Sequence, residues 1–232
     1  MKRLKPSQRR QRMRENYREA MAQARRDASE PGLRDAYPAI ARAPIRLIAC
    51  PLGKAINHGG LLRLAEAYRL ELVDFQVEED RVQDVSGVTG AHFWQEFRWV
   101  DAADSIAEAK EMGYRIYGLA LDDEAVPLGD AEWEFPAAIV LGEEKTGMPP
   151  DVQELCDVKI AIPLYGMVTS INVGQAAAIT IEAAVSAYRK KNPAFEPVRN
   201  ASRRLLGLPD ASYGPPREGP EGTTESSERA RP

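Results

Sequence analysis

The sequence predicts an α/β domain with a mainly parallel β-sheet. Short apolar runs alternate with helical patterns between about residues 44 and 190 of the 232-residue chain, as in domains whose strands and helices follow one another in turn. The runs at 115–121 and 137–141 have the continuous apolar character of strands that a parallel sheet buries on both faces. A long pattern rich in Ala and Ile over 170–188 predicts a final helix.

The predicted elements follow one another along this segment. The strands occupy 45–50, 72–75, 97–100, 115–121, 137–141 and 158–162. A helix is expected to begin at the glycine pair Gly59-Gly60, after Pro51 has ended the first strand. A second helix over 101–112 is followed by Gly113, a residue suited to the left-handed position after a helix. Ser170 lies near the start of the last helix and is a candidate N-cap.

The composition excludes several classes of protein. Hydrophobic residues make up 44% and charged residues 28% of the chain, so a core of ordinary size can form. The longest strictly apolar runs are about five residues, whereas a membrane helix needs roughly 20, and we expect no membrane span. Two cysteines and two histidines exclude a disulfide scaffold and disfavour a Cys/His zinc site. We therefore expect no metal, and a reducing, cytoplasmic location fits the cysteine content.

Charge is distributed unevenly along the chain. Residues 1–26 contain ten Lys/Arg and two Glu, a charge of +8, so the remainder carries −4 − 8 = −12. A basic segment on an acidic body suggests a polyanionic partner, and apolar residues at helical spacing between 13 and 24 predict a basic amphipathic helix. The arginines expected to meet RNA phosphates are Arg9, Arg10, Arg12, Arg14 and Arg18. A solvated arm and a mitochondrial transit peptide are the alternatives.

Three regions follow from these patterns. Residues 1–43 form the basic helical extension, 44–191 the α/β domain, and 192–232 a C-terminal extension. The last 26 residues contain four glycines and five prolines and little apolar surface. We expect disorder from about residue 207, because so little burial does not offset the entropy of ordering.

Parallel sheets bind ligands at the carboxyl ends of their strands, yet the usual phosphate-binding loops are missing from this sequence. Neither G-x-G-x-x-G after a strand nor G-x-x-x-x-G-K-[ST] is present, which disfavours an enzyme with a common NAD or ATP site. Three other segments stand out. Each alone has an ordinary explanation, namely a surface arginine in a salt bridge, a strand running into a glycine loop, and a helix N-cap.

The first segment places Asn57 before a glycine pair and Arg63. The second runs from the strand at 137–141 into Gly142, Glu144 and Gly147, and the third runs from Ile162-Pro163 through Gly166 to Ser170-Ile171-Asn172-Val173. In this order they resemble the three motifs of the SpoU (TrmH) family of RNA ribose 2′-O-methyltransferases, in the SPOUT superfamily, over about residues 44–190. The runs 144–147 and 166–168 look like the branch that methylates a D-loop guanosine of tRNA. Departures such as Ile171 in place of the usual Leu leave the polar set intact.

The resemblance implies a C-terminal trefoil knot over roughly 137–190, a homodimer and S-adenosylmethionine as cofactor. The implied cofactor-binding positions are Leu119, Gly142, Ile162, Ile171 and Asn172, and the implied catalytic residues are Arg63, Asn57, Glu144 and Ser170. Arg63 is expected to bind the neighbouring phosphate and polarise the 2′-OH, because a guanidinium is a poor base. Asn57 would orient the ribose or Arg63. Glu144 would fix the loop or Arg63, and Ser170 and Asn172 would hold the knot and the cofactor's edge.

The expected activity is methyl transfer to a ribose 2′-OH, with a tRNA guanosine favoured. An rRNA 2′-O-methyltransferase of the same family is one alternative. The other is a non-catalytic RNA-binding or assembly factor that has kept the fold. A binding measurement with S-adenosylmethionine would separate an enzyme from such a factor.

Overall fold

The computed structural model describes residues 37–78, 85, 88, 90–122, 124–143 and 146–196. The basic segment at 1–26 with its five expected RNA-binding arginines, the tail from 207, and Glu144 lie outside the described residues. Within those residues the α/β prediction is confirmed. No described helix has both the length and the apolar character that a membrane span requires.

The described strands, in chain order, are β1 (Ala43–Ala49), β2 (Leu70–Gln76), β3 (Phe97–Val100), β4 (Arg115–Leu119), β5 (Val126–Pro127), β6 (Ala137–Leu141) and β7 (Val158–Ala161). The described α-helices are α1 (Ala55–Ala67), α2 (Ala102–Glu111), α3 (Pro150–Glu154) and α4 (Val173–Lys191). Short 3₁₀ turns occupy Tyr37–Ala39, Ala91–Phe93 and Leu128–Asp130. The strands of the described residues form one sheet in the order β3-β2-β1-β6-β4-β7-β5, and all the pairings between neighbouring strands in it are parallel.

Both faces of the sheet are buried. Along β1, Ile45, Leu47 and Ala49 point into a core shared with α1 and α4, whereas Ile48 belongs to a second core shared with α2. This alternation follows from the two-residue period of a strand. Because helices cover the two faces, central strands such as β6 are buried at every position, which explains their continuous apolar runs.

β7 lies between two strands that are close neighbours in sequence. Leu119, the last residue of β4, and Val126, the first of β5, both pair with Ile160 from opposite sides. The short connection between them therefore has to cross from one side of β7 to the other. Such an insertion departs from the usual rule that consecutive elements are adjacent.

Two helix starts differ from the predictions. α1 begins at Ala55, so Asn57, Gly59 and Gly60 lie inside its first two turns and do not precede it. α4 begins at Val173, and its N-cap is Asn172, whose side-chain oxygen accepts a hydrogen bond from the Gly174 N–H at 2.9 Å. Ser170 is therefore not the N-cap. The predicted helix at 101–112 is confirmed, with the Asp101 carboxylate capping the N–H groups of Ala103 and Asp104.

Candidate active site

A cavity of about 750 Å³ opens at the carboxyl edge of the sheet, where ligands of parallel α/β folds bind. Its walls are the ends of β4 and β6, the loops that follow β4, β6 and β7, one residue of α3 and the first turn of α4. Five of the residues expected from the sequence line it, namely Leu119, Gly142, Ile162, Ser170 and Ile171. The structure therefore brings the second and third sequence segments together around one space.

Gly142 is required by the path of the backbone. The chain turns back directly after it, because the Glu143 N–H donates to the Gly147 carbonyl at 3.0 Å and the Gly147 N–H donates to the Glu143 carbonyl at 2.9 Å. A Cβ atom on Gly142 would lie 2.2 Å from both the Gly147 carbonyl carbon and the Met148 nitrogen. Gly147 itself has a φ of +70°, which side chains disfavour. The two glycines of this segment thus allow the loop to fold closely over the end of β6.

Asn57 and Asn172 join the first segment to the third. The Asn172 amide donates to the Asn57 side-chain oxygen at 3.3 Å, while the Asn172 oxygen caps α4. Asn57 is buried, and α1 packs against α4. Asn172 does not line the cavity itself but lies between two residues that do, Ile171 and Val173.

Arg63 lies apart from the cavity of its own chain. It is exposed and does not line the cavity. Six residues separate it from Asn57, which corresponds to about 240° around a helix, so the two side chains leave α1 on different faces. Arg63 shares its exposed face with Gly60 and with Ile56, which is 65% exposed. Arg63, one of the catalytic residues that the resemblance implies, therefore does not line the cavity of its own chain.

The loop between Leu164 and Ser170 carries unusually exposed apolar side chains. Tyr165 is 98% exposed, Met167 99% and Val168 64%. Side chains this apolar seldom cluster in water without a partner surface. They immediately precede the segment that closes the cavity.

Sequence reasoning missed the polar residues of the cavity wall. Asp122, Glu124, Glu143, Thr146 and Gln153 also line the cavity. Asp122 accepts a hydrogen bond from the Lys159 ammonium at 2.7 Å, which lowers the pKa of that carboxyl and raises the pKa of Lys159. For Asp122, Glu124, Glu143 and Thr146, the available signal was their position in the loops that follow β4 and β6. Of the described residues that line the cavity, none carries a positive charge.

The surroundings of His58 and of the two cysteines indicate structural roles. His58 is buried between the rings of Phe75 and Trp99, with centroids 5.0 and 5.1 Å away. Burial raises the pKa of Cys50 to about 12 and that of Cys156 to about 11. Neither thiol is activated as a nucleophile at neutral pH, because the thiolate is the reactive form. Among the described residues, no group of three or more His, Cys, Asp and Glu side chains is placed to hold a metal ion.

Comparison with known proteins shows which family this chain belongs to. The family model for SpoU rRNA methylases matches residues 44–182, more than half of the chain. The tRNA (guanosine(18)-2′-O)-methyltransferase of Aquifex aeolicus (strain VF5) is 31% identical over 128 residues, which cover 54% of this chain and 61% of that relative. The chain thus spans about three fifths of that relative's length.

Two solved structures share the fold. The A. aeolicus TrmH/SpoU tRNA modifying enzyme superposes with a TM-score of 0.64 at 24% identity, covering 81% of this chain and 94% of that one. The AdoMet-bound rRNA methyltransferase from Sinorhizobium meliloti gives a TM-score of 0.57 at 20% identity, with coverages of 69% and 60%. At these identities the structures show a common fold, and the family match shows descent: the chain belongs to the SpoU rRNA Methylase family.

Proposed function

We propose that the protein transfers a methyl group from S-adenosylmethionine to a ribose 2′-OH in RNA, with a tRNA guanosine as the favoured target. The observation that carries the proposal is that the second and third segments meet around one cavity, to which the Asn57–Asn172 hydrogen bond ties the first. The similarity to a tRNA guanosine methyltransferase supports tRNA. The AdoMet-bound relative described as an rRNA methyltransferase keeps rRNA as the second candidate.

The cavity suits this cofactor. Its volume of about 750 Å³ lies within the range of small-molecule sites, about 300–1,000 Å³. The bare backbone at Gly142 and the strand ends at Leu119 and Ile162 offer main-chain groups, and Ile171 offers an apolar surface. When bound, S-adenosylmethionine supplies an electrophilic methyl group whose leaving group is uncharged. A lining of carboxylates without a described cationic side chain suits a ligand that carries a sulfonium.

The chain's own residues then have two tasks. They must hold the ribose oxygen in line with the methyl group, which is a positioning task, and they must accommodate the hydroxyl proton as the bond forms. We assign phosphate binding and polarisation of the 2′-OH to Arg63, since a planar guanidinium presents several N–H donors that match a phosphate. Asn57, held by Asn172, fixes the start of α1 beside the cavity, and Ser170 lines the cavity itself.

We include a homodimer in the proposal, because Arg63 lies apart from the cavity of its own chain. Arg63 faces solvent together with Ile56, and the loop after Leu164 exposes Tyr165 and Met167. A second copy related by a two-fold axis would cover these apolar side chains. It would also place Arg63 of one protomer near the cavity of the other.

Mixing two inactive variants tests this arrangement. Arg63→Ala removes the arginine, and Gly142→Val blocks the cavity. In a co-refolded equal mixture, about a quarter of all sites are intact if Arg63 acts across the interface, because half of the dimers are mixed and one of their two sites is complete. Activity near a quarter of wild type supports the arrangement. A mixture as inactive as its parts contradicts it.

A threaded chain is also part of the proposal. β7 lies between β4 and β5, which the chain joins by a short loop, and the chain continues from β7 to the cavity-lining residues Ile162 and Ser170. Passage of this later segment through the earlier loop would form the knot that the family resemblance implies.

Labelled S-adenosylmethionine tests the function directly. Incubation with separate tRNA and rRNA pools, followed by mapping of the modified ribose, should give a 2′-O-methylguanosine in tRNA. Arg63→Ala should reduce methyl transfer by at least about 100-fold, the scale expected when positioning is lost, while calorimetry still detects cofactor binding. Labelling confined to rRNA would favour the second candidate. Cofactor binding absent from wild type would overturn the proposal and favour a non-catalytic RNA-binding factor.

A further inference from the structure

We propose that the ion pair between Asp122 and Lys159 is a positioning device for the cofactor: it fastens the β4–β5 loop, which forms one wall of the cavity, to the strand that this loop surrounds. The β4–β5 loop is defined here as residues 120–122, 124 and 125. The inference rests on the proposed function, because the cavity is taken to bind S-adenosylmethionine. It assigns roles to two residues outside the three sequence segments.

The topology makes this loop difficult to hold in one conformation. The chain leaves β4 at Leu119 and enters β5 at Val126, and both residues pair with Ile160 of β7. The loop therefore has to run around β7 instead of continuing alongside it. A loop with so little regular structure needs specific contacts to hold one conformation, because ordering each residue costs about 1–2 kcal/mol of backbone entropy.

Asp122 supplies most of the described polar contacts of the loop. Its Oδ2 accepts from the Lys159 ammonium at 2.7 Å, and its Oδ1 accepts from the Glu124 N–H at 3.0 Å. Its carbonyl accepts from the Ala125 N–H at 3.0 Å. One residue thus closes the turn and links it to β7, where Lys159 is paired with Gly118. Each partner's pKa moves in the direction that favours its charged form.

Burial of the large apolar side chain of the loop does not take the place of the Asp122–Lys159 ion pair. Leu121, the large apolar side chain of the loop, is 70% exposed. The Ala120 N–H donates to the Ile160 carbonyl at 2.9 Å, which fixes the first residue of the loop but not the residues that follow. Ala120, Leu121, Asp122 and Glu124 all line the cavity, whereas Lys159 does not. Lys159 therefore acts on the cavity only through the loop that it holds.

This arrangement predicts an effect on cofactor affinity and not on chemistry. Without the pair, the wall between Ala120 and Glu124 samples other conformations, and the cofactor must restore order when it binds. Binding to a site that is correctly formed only part of the time is weakened by that fraction. Once the cofactor is bound, the reacting groups are unchanged, so kcat should remain near its wild-type value.

The test uses the full-length protein and three variants of Lys159, which lies outside the cavity lining: Lys159→Met, Lys159→Gln and the charge-keeping Lys159→Arg. Lys110→Met is the matched control, because Lys110 forms an ion pair with Asp157 at 3.5 Å and neither residue lines the cavity. We expect the Kd and KM for S-adenosylmethionine to rise about three- to fivefold in the two neutral variants, the scale of one partly exposed ion pair, with kcat within about twofold. Lys159→Arg should retain most of the affinity, and Lys110→Met should leave it unchanged.

Hydrogen exchange provides a readout that does not need turnover. Amides of the β4–β5 loop should exchange faster in Lys159→Met than in wild type, and S-adenosylhomocysteine should restore part of the protection. Wild-type affinity in both neutral variants, or unchanged exchange, would overturn the inference while leaving the proposed function intact. Absence of cofactor binding by wild type would overturn both. A misfolded Lys159→Met would leave the decision to Lys159→Gln, which keeps a polar side chain at this position.

Discussion

At the scale of single residues, Gly142 is the position where the shape of the backbone decides whether the cavity exists. Gly142→Ala would force a Cβ atom to within 2.2 Å of main-chain atoms in the returning loop, so that loop has to move by an ångström or more. We expect kcat/KM to fall about 100-fold, as displacements of this size do at catalytic sites. Steady-state kinetics and calorimetric titration with S-adenosylmethionine are the measurements.

Gly129→Ala is the matched control for this substitution. A Cβ atom on Gly129 has no atom within 4 Å, and the residue does not line the cavity. We expect its kcat/KM to remain within about twofold of wild type and its stability within about 0.5 kcal/mol. If kcat/KM fell by a similar factor in both variants, the effect of Gly142→Ala would not come from the turn after β6.

Sequence reasoning located part of this cavity. Of the residues expected to form the site, Gly142 of the second segment and Ile162 and Ser170 of the third line the cavity, and their roles there stay predictions. Asp122 could not be recognised in the same way, because its role depends on Lys159, a partner 37 residues away that only the folded sheet brings near. A carboxylate after a strand is common, and its significance comes from its partner.

At the scale of elements, helix α1 shows how packing overrides a local preference. Glycines destabilise helix interiors by about 1 kcal/mol each, so the sequence predicts that a helix begins at the pair at 59 and 60. The structure places both inside α1. Leu61 and Leu62, which follow the pair, are completely buried, and burying large side chains such as these contributes about 1.5–3 kcal/mol each. The helix therefore extends to Ala55 in spite of its glycines.

β5 escaped prediction for a different reason. It consists of two residues, Val126 and Pro127, too few to show a period. Its pairing with β7 joins residues that are distant in the chain. The alternation of strands and helices predicted the parallel sheet, but the insertion of β7 between β4 and β5 depends on contacts that leave no periodic pattern.

The packing of β4 against the segment after β6 gives a prediction at this scale. A Cβ atom on Gly118 would lie 2.5 Å from the Cys156 Sγ and 2.8 Å from the Met148 Cε. The methionine end can move aside, but the short cysteine side chain cannot. We expect Gly118→Ala to lower the free energy of unfolding by about 1–3 kcal/mol, the range for overpacked cores, as measured by urea denaturation.

The double variant Gly118→Ala/Cys156→Ala checks this cause. Removing the sulfur leaves the Cys156 Cβ 3.1 Å from the new methyl group, so most of the overlap disappears. The combined loss should be smaller than the sum of the two single losses by about 0.5 kcal/mol or more, as for residues in contact. Additive losses would place the damage elsewhere, for example in the backbone of β4.

At the scale of the whole molecule, the separation of charge between residues 1–26 and the remainder is the feature that the cavity does not explain. The first 26 residues carry +8 and the rest carries −12. An RNA approaching the acidic remainder is repelled, so productive binding needs a local source of positive charge. The sequence predicts that the basic segment is that source, and our proposal makes Arg63 the contact nearest to the reacting nucleotide.

Deleting residues 1–26 tests whether this segment supplies the positive charge for RNA binding. Each phosphate contact that is lost should reduce the slope of log Kobs against log[salt] by about 0.7–0.9, because fewer counterions are released on binding. The affinity for RNA should fall at low salt, whereas cofactor affinity, which depends on the cavity, should stay unchanged. A full-length variant with Gln at positions 9, 10, 12, 14 and 18 separates charge from length. If its slope equals that of wild type while the deletion variant binds poorly, the segment acts by its bulk, and the five arginines do not bind RNA.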